Sequence, residues 1–274
     1  MRFLGWLLGR RGFAGPSRTS QAVAVTRAGM SRPHTSEGDP NAQRLLCRGM
    51  RAGRVDSMTA SLTARTRFFD DRVMSAISTG VGQVVILGAG YDDRALRFRS
   101  RGVRFFEIDH PATQDDKRRR LEAIAGDAGP VLATADFRDD DVGAVLAGCG
   151  HDAHRPSLFL CEGLLVYLDR ATIVRLLAAL HSRAAEGSLL AASLAVHRDG
   201  LDSGAVAAAA NARRRNGSSE PWVTIMPAEG QVRLLADAGW SVGEQTDAHQ
   251  LDPATPSGRS LLVVARPAAV PAGA

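Results

Sequence analysis

Residues 84–94 read VVILGAGYDDR, an apolar run that leads directly into a glycine pair and then into two aspartates. A short aliphatic run followed by glycine predicts a buried strand that ends in a tight turn. Because glycine has no Cβ, Gly88 and Gly90 would let a ligand approach the backbone closely. Taken alone, the stretch is also compatible with a plain tight turn.

Strand and helix patterns alternate on both sides of this stretch. A helix is predicted from Ser57 or Thr59 through Ile77, where Gly80 follows. Further helices are predicted near 92–98, 111–125, 139–147, 169–185 and 227–238, and strands at 84–87, 103–108, 131–135, 157–161, 189–194, 240–245 and 261–265. This alternation predicts an α/β fold with a doubly wound, seven-stranded, mostly parallel sheet. Ligands of such folds bind beyond the carboxyl ends of the strands.

Composition indicates one large globular domain. The 274 residues are 45% hydrophobic and 23% charged, which excludes a disordered chain, a collagen and a coiled coil. We expect the domain to span 41–267, between a basic flexible tail over 1–40 and a short tail over 268–274. The first 50 residues hold eight arginines, and residues 1–40 show no apolar period. Deletion of 1–40 is therefore expected to leave folding unchanged.

Several other classes are disfavoured. The net charge of +5 comes partly from the N-terminal segment rather than from a basic face, so nucleic-acid binding is not expected. No uncharged apolar run is long enough to span a membrane, and no stable membrane anchor is expected. Cys47, Cys149 and Cys161 are too widely spaced for a disulfide framework, which favours a cytoplasmic location. The histidines at 151 and 154 lack a third ligand, so no metal site is expected. The sequence does not indicate an oligomeric state.

Residues 197–223 interrupt the alternation. The stretch 205–212 favours a helix, so the segment is either a lid over the ligand pocket or a solvated surface helix and loop. The three arginines at 213–215 either face an anionic group of a substrate or lie in solvent.

A second motif, FFEIDHP at 105–111, places Asp109 at the end of the second strand, 19 residues after Gly90. A carboxylate there can accept both hydroxyls of a ribose, as in nucleotide-binding βαβ units. The other interpretation is that Asp109 caps the helix opened by Pro111, and the two roles are compatible.

Polar residues also follow the third and fourth strands. Asp136 could accept from an adenine amine with Phe137 packed on the base, or it could cap the acidic helix that begins at 139. Glu162 follows an apolar strand, where an unpaired charge is costly and a cation would compensate it. Tyr167 could direct its hydroxyl at a substrate as a catalytic residue, or it could belong to the core.

An upstream helix carries TARTRFFDD at 63–71. Arg65 or Arg67 could bind a carboxylate in a forked geometry, and a surface arginine on an amphipathic helix is the alternative. The aspartates at 92 and 93 would repel a phosphate at the first helix start, and the third glycine of GxGxxG is missing. A nucleoside ligand without phosphates is therefore favoured.

Together, TARTRFFDD, VVILGAGYDDRA, FFEIDHP and LCEGLLVYL occur in the order seen in class I S-adenosylmethionine (SAM) methyltransferases. More narrowly, residues 42–266 resemble the leucine carboxyl methyltransferase family, including its actinobacterial and polyketide O-methyltransferase members. The resemblance implies a Rossmann-like methyltransferase fold with an N-terminal helical extension. It also implies SAM as cofactor.

The resemblance assigns roles to individual residues. Arg65 is implied to bind the methionine carboxylate, Asp109 the ribose, and Glu162 to lie near the methionine end. The loop of Gly88 and Gly90 is implied to lie along the cofactor, and Asp136 with Phe137 to frame adenine. Leu is usual in the family at the position of Phe137, and Tyr91 is also atypical.

The implied reaction is in-line transfer of the sulfonium methyl group to a carboxyl or hydroxyl oxygen of a small organic acceptor, in secondary metabolism. The protein would mainly supply positioning and a dry site. A phenol would benefit from a base, and His110 and His197 are the nearest candidates. The alternatives are a nicotinamide-dependent Rossmann oxidoreductase and a non-catalytic SAM- or RNA-binding module.

Overall fold

The fold is a layered α/β domain around one mixed sheet. The computed structural model describes residues 15–50, 59–125, 129–214 and 220–268. Its strands are β1 Gln83–Leu87, β2 Arg104–Asp109, β3 Val131–Thr134, β4 Ser157–Cys161, β5 Leu189–His197, β6 Met226–Pro227, β7 Trp240–Asp247 and β8 Ser260–Pro267. Its helices are α1 Arg18–Arg27, α2 Ala42–Leu46, α3 Thr59–Ser78, α4 Arg94–Arg97, α5 Pro111–Glu122, α6 Val142–Gly148, α7 Arg170–His181, α8 Ser203–Arg214, α9 Ala228–Asp237 and α10 Ala248–Leu251.

The strand order is β3-β2-β1-β4-β5-β8-β7, with the two-residue β6 paired to β5. Strands β1 to β5 run parallel, whereas β8 pairs antiparallel with both β5 and β7. The predicted doubly wound, mostly parallel sheet is confirmed, and all seven predicted strands are present. The short β6 is an eighth strand that was not predicted, because two residues are too few to show a period.

Helices cover both faces of the sheet. Within β1, Val85 and Leu87 join a core formed with α6, α7 and α9, whereas Val84 and Ile86 join a core formed with α3 and α10. Successive side chains of a strand point to opposite faces, so a central strand that is buried on both faces is continuously apolar. This burial explains why β1 and β4 read as unbroken hydrophobic runs.

The N-terminal segment departs from the prediction. Residues 15–40 are not a loose tail, because α1 lies within them and Ser17 caps it by accepting a hydrogen bond from the backbone N–H of Ser20. The side chains of Arg27 and Arg32 are each only 6% exposed and pair with buried carboxylates. The expectation of a flexible tail is wrong for these residues, while 1–14 lie outside the described part of the chain. Position 41 therefore does not separate a tail from the domain, whereas the limits at 267 and 268 stay predictions.

The segment 197–223 contains the predicted helix, which is α8. Its far end, at 220–222, lines the cavity at the carboxyl edge of the sheet that is described below. The segment is therefore not only a solvated surface helix and loop. The side chains at 213–215 lie outside the described residues, so their role in substrate binding stays a prediction.

We expect Arg32→Ala to lower the free energy of unfolding by about 3 kcal/mol, the low end of the range for breaking a buried ion pair. Arg32 binds Asp70 and Asp93, which are each 1% exposed, and the substitution would leave them with fewer cations. Urea unfolding at pH 7 measures this change.

The matched control is Arg233→Ala, whose pair with Glu229 is exposed on both sides and should contribute at most about 1 kcal/mol. Equal unfolding midpoints for the two variants would show that the N-terminal segment does not stabilise the domain.

Candidate functional site

A cavity of about 260 Å³ lies at the carboxyl edge of the parallel strands. Gly88 follows β1, Asp109 ends β2 and Glu162 follows β4, and all three line it. Because these strands are parallel and adjacent, their ends meet at one edge of the sheet. The carboxyl edge predicted for the ligand site therefore holds a cavity lined by residues from three strand ends.

The glycine loop has a backbone that side chains disfavour. Gly88 and Gly90 have φ angles of +62° and +49°. A Cβ on Gly90 would lie 2.7 Å from the Cβ of Ser20 in α1. The missing side chain thus allows α1 to pack directly over the loop, and α1 forms one wall of the cavity.

Asp109 holds the glycine loop through its carboxylate. It accepts hydrogen bonds from the backbone N–H of Gly90 at 2.5 Å and of His110 at 2.6 Å. Burial raises its pKa, against the lowering effect of these hydrogen bonds. Each carboxylate oxygen has a second lone pair, so both can still accept a hydroxyl of a ligand.

The helix-cap interpretation of Asp109 is wrong. His110 is the N-cap of α5, and its Nδ1 accepts from the backbone N–H of Ala112, while Pro111 occupies the first turn as predicted. Asp109 is therefore positioned by the glycine loop rather than by the helix that follows it.

Glu162 is bound by three guanidinium groups. Arg65 donates to it at 2.9 Å and Arg94 at 2.8 Å, and Arg27 of α1 also donates to it. Burial opposes ionisation of Glu162, yet Arg27, Arg94 and Arg65 hold its pKa well below the ordinary value. The cation expected beside Glu162 is present as these arginines.

Asp70 is a second centre of the same ion network. Its carboxylate accepts from Arg94 and Arg97 at 2.8 Å and from Arg32 in a forked pair at 3.0 and 3.1 Å. Burial opposes ionisation, but these arginines lower the pKa of Asp70 to about 2. The carboxylate therefore stays charged in a site from which water is excluded.

The aspartates at the start of α4 are also neutralised. Asp92 binds Arg94 at 2.5 Å, and Asp93 binds Arg32 at 2.8 Å and Arg97 at 3.1 Å. Because arginines compensate their charge, these two acids repel a phosphate less than the sequence predicts. Nor does Asp93 cap α4 with its side chain.

The network holds more positive than negative charge. Its described members are the arginines 27, 32, 65, 94 and 97 and the acids Asp70, Asp92, Asp93 and Glu162. Five arginines against four carboxylates leave one positive charge in excess. Arg27 and Arg65 also line the cavity, so an anionic ligand group there would balance the network.

Beneath the glycine loop lies a separate buried pair. Lys117 forms an ion pair with Glu107 and donates to the carbonyl oxygen of Asp92 at 2.8 Å, and both side chains are fully buried. Burial raises the pKa of Glu107 to about 7, against the lowering effect of Lys117. Lys117 thus ties α5 to the loop that follows β1.

Asp136 and Phe137 follow the third strand as predicted, and both line the cavity. The carboxylate of Asp136 accepts from the backbone N–H of Arg138 at 3.0 Å, and α6 is capped instead by Asp141. The interpretation of Asp136 as a cap of this helix is therefore wrong. Phe137 is 8% exposed and packs against the core while facing the cavity.

The two tyrosines differ in their surroundings. Tyr167 lies in a 3₁₀ turn, Leu165–Tyr167, and lines the cavity. Tyr91 donates its hydroxyl to Asp116 at 2.6 Å, and burial together with this carboxylate raises its pKa well above the ordinary value. Tyr91 therefore fixes the loop to α5.

The other sequence candidates are placed as follows. Arg67 is exposed, whereas Arg65 lines the cavity. His110 also lines it, but His197 is engaged with Ser203 and the carbonyl of Arg198 outside this lining. The cofactor-binding roles of Arg65, Gly88, Gly90, Asp109, Asp136, Phe137 and Glu162, and the catalytic role of Tyr167, stay predictions.

Sequence reasoning missed Arg27 and Arg32, because they belong to the segment interpreted as a tail. A usable signal was present in Glu162, which falls in the otherwise apolar stretch LFLCEGLLVYL. A buried acid needs compensating cations, and no arginine adjoins Glu162 in the sequence, so arginines from other segments were required.

Other features are absent from the part of the chain that the structure describes. No group of three or more His, Cys, Asp or Glu side chains there has metal-binding geometry. None of the described helices is long and apolar enough to cross a membrane.

The chain belongs to the leucine carboxyl methyltransferase family, whose profile matches residues 20–181. A candidate S-adenosyl-L-methionine-dependent methyltransferase of Streptomyces avermitilis is 36% identical over 197 residues, covering 69% of this chain and 65% of that protein. A second one, from Streptomyces coelicolor, is 35% identical over 68% of this chain and 64% of its own length. The match thus spans slightly less than two thirds of these relatives.

Solved structures share the fold. A candidate methyltransferase from Thermobifida fusca matches with a TM-score of 0.58 at 19% identity, covering 97% of this chain and 100% of that one. A protein of the DUF574 family from Streptomyces avermitilis matches with a TM-score of 0.60 at 14% identity, over 92% and 98% of the two chains. The family predicted from the motifs is confirmed, and with it SAM as the cofactor of the named relatives.

We expect the stability of the protein to fall as the pH is lowered from about 4 to about 2. The folded pKa of Asp70 is about 2, below its ordinary 3.8, so its stabilisation is present above pH 4 and is lost as it becomes protonated. This one group contributes about 2 kcal/mol to the change. Urea unfolding as a function of pH measures it.

In the variant Asp70→Asn, the free energy of unfolding should fall correspondingly less between pH 4 and pH 2. Asp115→Asn is the control, because Asp115 is exposed and pairs only on the surface with Arg118. An equal loss of unfolding free energy between pH 4 and pH 2 in wild type and Asp70→Asn would contradict a lowered pKa of Asp70.

Proposed function

We propose that this protein transfers the methyl group of SAM to a carboxyl or hydroxyl oxygen of a small organic acceptor. One observation carries the proposal: a single cavity holds the glycine loop, the carboxylate of Asp109, and Arg27 and Arg65 of a cluster in which the described arginines outnumber the described carboxylates by one. The glycine loop can lie against the nucleoside, Asp109 can bind its ribose, and the arginines can bind the carboxylate of its amino-acid part. The three groups therefore fit one molecule of SAM.

The residues present fit SAM in two respects. Asp109 keeps acceptor capacity on both oxygens for the ribose hydroxyls. Arg65 and Arg27 meet at Glu162 on the cavity wall, where they can bind the methionine carboxylate. When bound, SAM supplies an activated methyl group on a sulfonium.

The chain's own contribution is mainly positional. Glu162 orients Arg27 and Arg65, and the buried network behind it prevents these guanidiniums from moving as an acceptor enters. Helix α1 and the segment 220–222 line the cavity, where they would replace part of the water around a bound ligand. Tyr167 and His110 face the same space and are the candidates for orienting the acceptor or receiving its proton.

The proposal includes a place in secondary metabolism and a cytoplasmic location. The first is supported by the resemblance to polyketide O-methyltransferases. The second is supported by Cys47, Cys149 and Cys161, which are free thiols as a reducing compartment requires. Burial raises the pKa of Cys161 to about 12, so this thiol is inert at neutral pH.

We test the proposal by a SAM-dependent screen of aromatic acids, phenols and peptides with a free C-terminal carboxylate, read by mass spectrometry. Base-labile products indicate carboxyl transfer, and base-stable products indicate hydroxyl transfer. Methylation of peptide C-termini alone would contradict a small-molecule acceptor. Tight SAM binding without turnover of any acceptor would favour the non-catalytic alternative, and binding of NAD rather than SAM would favour the oxidoreductase.

Arg65→Ala should weaken SAM binding at least about tenfold, because a charge-assisted hydrogen bond contributes about 1.5–3 kcal/mol. Its neighbour Arg67 is the matched control, since it is exposed two residues away on the same helix. Calorimetric titration with SAM should leave Arg67→Ala unchanged. Equal losses in the two variants would remove Arg65 from the cofactor site.

Asp109→Ala should weaken SAM binding still more, by about 100-fold or above, because two hydroxyls would lose their charged acceptor. Asp141→Ala is the control, since Asp141 caps α6 away from the cavity lining. SAM affinity is measured by calorimetry and folding by circular dichroism. A folded Asp109→Ala protein with SAM affinity within threefold of wild type would show that Asp109 only holds the loop.

A further inference from the structure

We propose that Trp222 selects the methyl acceptor, so that the cavity accepts planar aromatic compounds, and that Asn211 positions Trp222. This inference rests on the proposed function, because it names the substrate class of the same cavity. Trp222 lines that cavity and belongs to the segment that follows α8, which lies outside the stretch matched by the family profile.

Asn211 fixes the backbone of Trp222 with two hydrogen bonds. The Asn211 side-chain amide donates to the carbonyl oxygen of Trp222 at 2.9 Å, and its oxygen accepts from the backbone N–H of Trp222 at 2.8 Å. One side chain on α8 thus binds both polar groups of one peptide residue, as a neighbouring strand would. The position of the indole ring is thereby tied to α8.

The residues after Trp222 are attached to the turn that carries Tyr167. The backbone N–H groups of Val223 and Thr224 donate to the carbonyl oxygen of Val166 at 2.7 and 3.1 Å. The hydroxyl of Thr224 donates to the carbonyl oxygen of Leu168 at 2.6 Å. This turn follows Glu162 directly, so the segment is joined to the part of the site where the methyl group is expected.

Apolar packing supports the same arrangement. Val166, Ala207 and Ile225 form a small buried cluster, and Trp222 and Tyr167 pack against it. This cluster is separate from the two cores that lie on the faces of the sheet. Trp222 and Tyr167 therefore form a wall of the cavity that is in place before any acceptor binds, which lowers the entropic cost of binding.

The chemistry of the wall favours a flat aromatic acceptor. Trp222, which carries an indole, and Tyr167, which carries a phenol, both line one cavity, as does Pro221. Aromatic rings gain from offset or edge-to-face contact beyond the area they bury, by an amount that corresponds to about threefold to tenfold in affinity. A saturated ring of the same size gains only from burial.

The test uses the full chain saturated with S-adenosylhomocysteine (SAH) and a matched probe pair, 2-naphthol and decahydro-2-naphthol. Calorimetry should show that wild type binds the aromatic probe at least about threefold more tightly. Trp222→Leu should reduce this ratio to about one, whereas Trp222→Phe should keep part of it. Asn211→Ala should lower the ratio as well. Asn211→Asp keeps the acceptor for the backbone N–H of Trp222, so its ratio should lie between those of wild type and Asn211→Ala.

Leu201→Ala is the matched control, because Leu201 is exposed on the loop before α8 and outside the cavity lining. It should leave the ratio unchanged, and all variants should bind SAH within about twofold of wild type. An unchanged ratio in a folded Trp222→Leu protein would overturn the inference, as would equal or undetectable binding of both probes to the wild-type SAH complex.

Three further outcomes show whether this inference and the proposed function fail together or separately. Failure of wild type to bind SAH would overturn both. Normal SAH binding with methylation only of non-aromatic acceptors would overturn the inference and leave the methyltransferase intact. Loss of SAH binding in Trp222→Leu would also overturn the inference, because it would place Trp222 in the cofactor site.

Discussion

The buried guanidinium of Arg94 is the interaction on which the rest of the site depends. It is fully enclosed and binds Asp70 of α3, Asp92 of the glycine loop and Glu162 at the end of β4. Burying such charges is costly, and removing one partner is costlier still, because the others then lack compensation. The network therefore fixes three elements relative to one another, and α1 joins them through Arg27.

The predicted fold was recoverable because burial leaves a periodic trace. Strands such as Ser157–Cys161 are buried on both faces and read as continuous apolar runs. In α7 the buried residues recur at helical spacing. The N-terminal segment leaves no such trace. Helix α1 buries Ala24, Thr26 and Arg27, a mixed set with no apolar stripe, and it is stabilised by ion pairs and hydrogen bonds.

The candidate site was predictable to the same extent. Asp109 and Glu162 could be assigned to one edge of the sheet because each follows a strand, and parallel strands end together. The residues that pair with them could not be assigned in this way. Arg27 and Glu162 are 135 positions apart, and ion pairing imposes no sequence period. The helical pattern alone could not choose between Arg65 and Arg67, because both lie on one helix and its rotation about its axis decides which faces the cavity; the family resemblance favoured Arg65, which lines it.

The buried pair beneath the glycine loop has a consequence for chemical labelling. Lys117 is the single lysine of the sequence, and its ammonium group is enclosed by Glu107 and the carbonyl of Asp92. An acylating reagent that reacts with amines therefore has one side-chain target, which it reaches only when the contact between α5 and the loop opens. The rate of acylation at Lys117 reports this opening from within the native sequence, and a ligand that closes the cavity slows it.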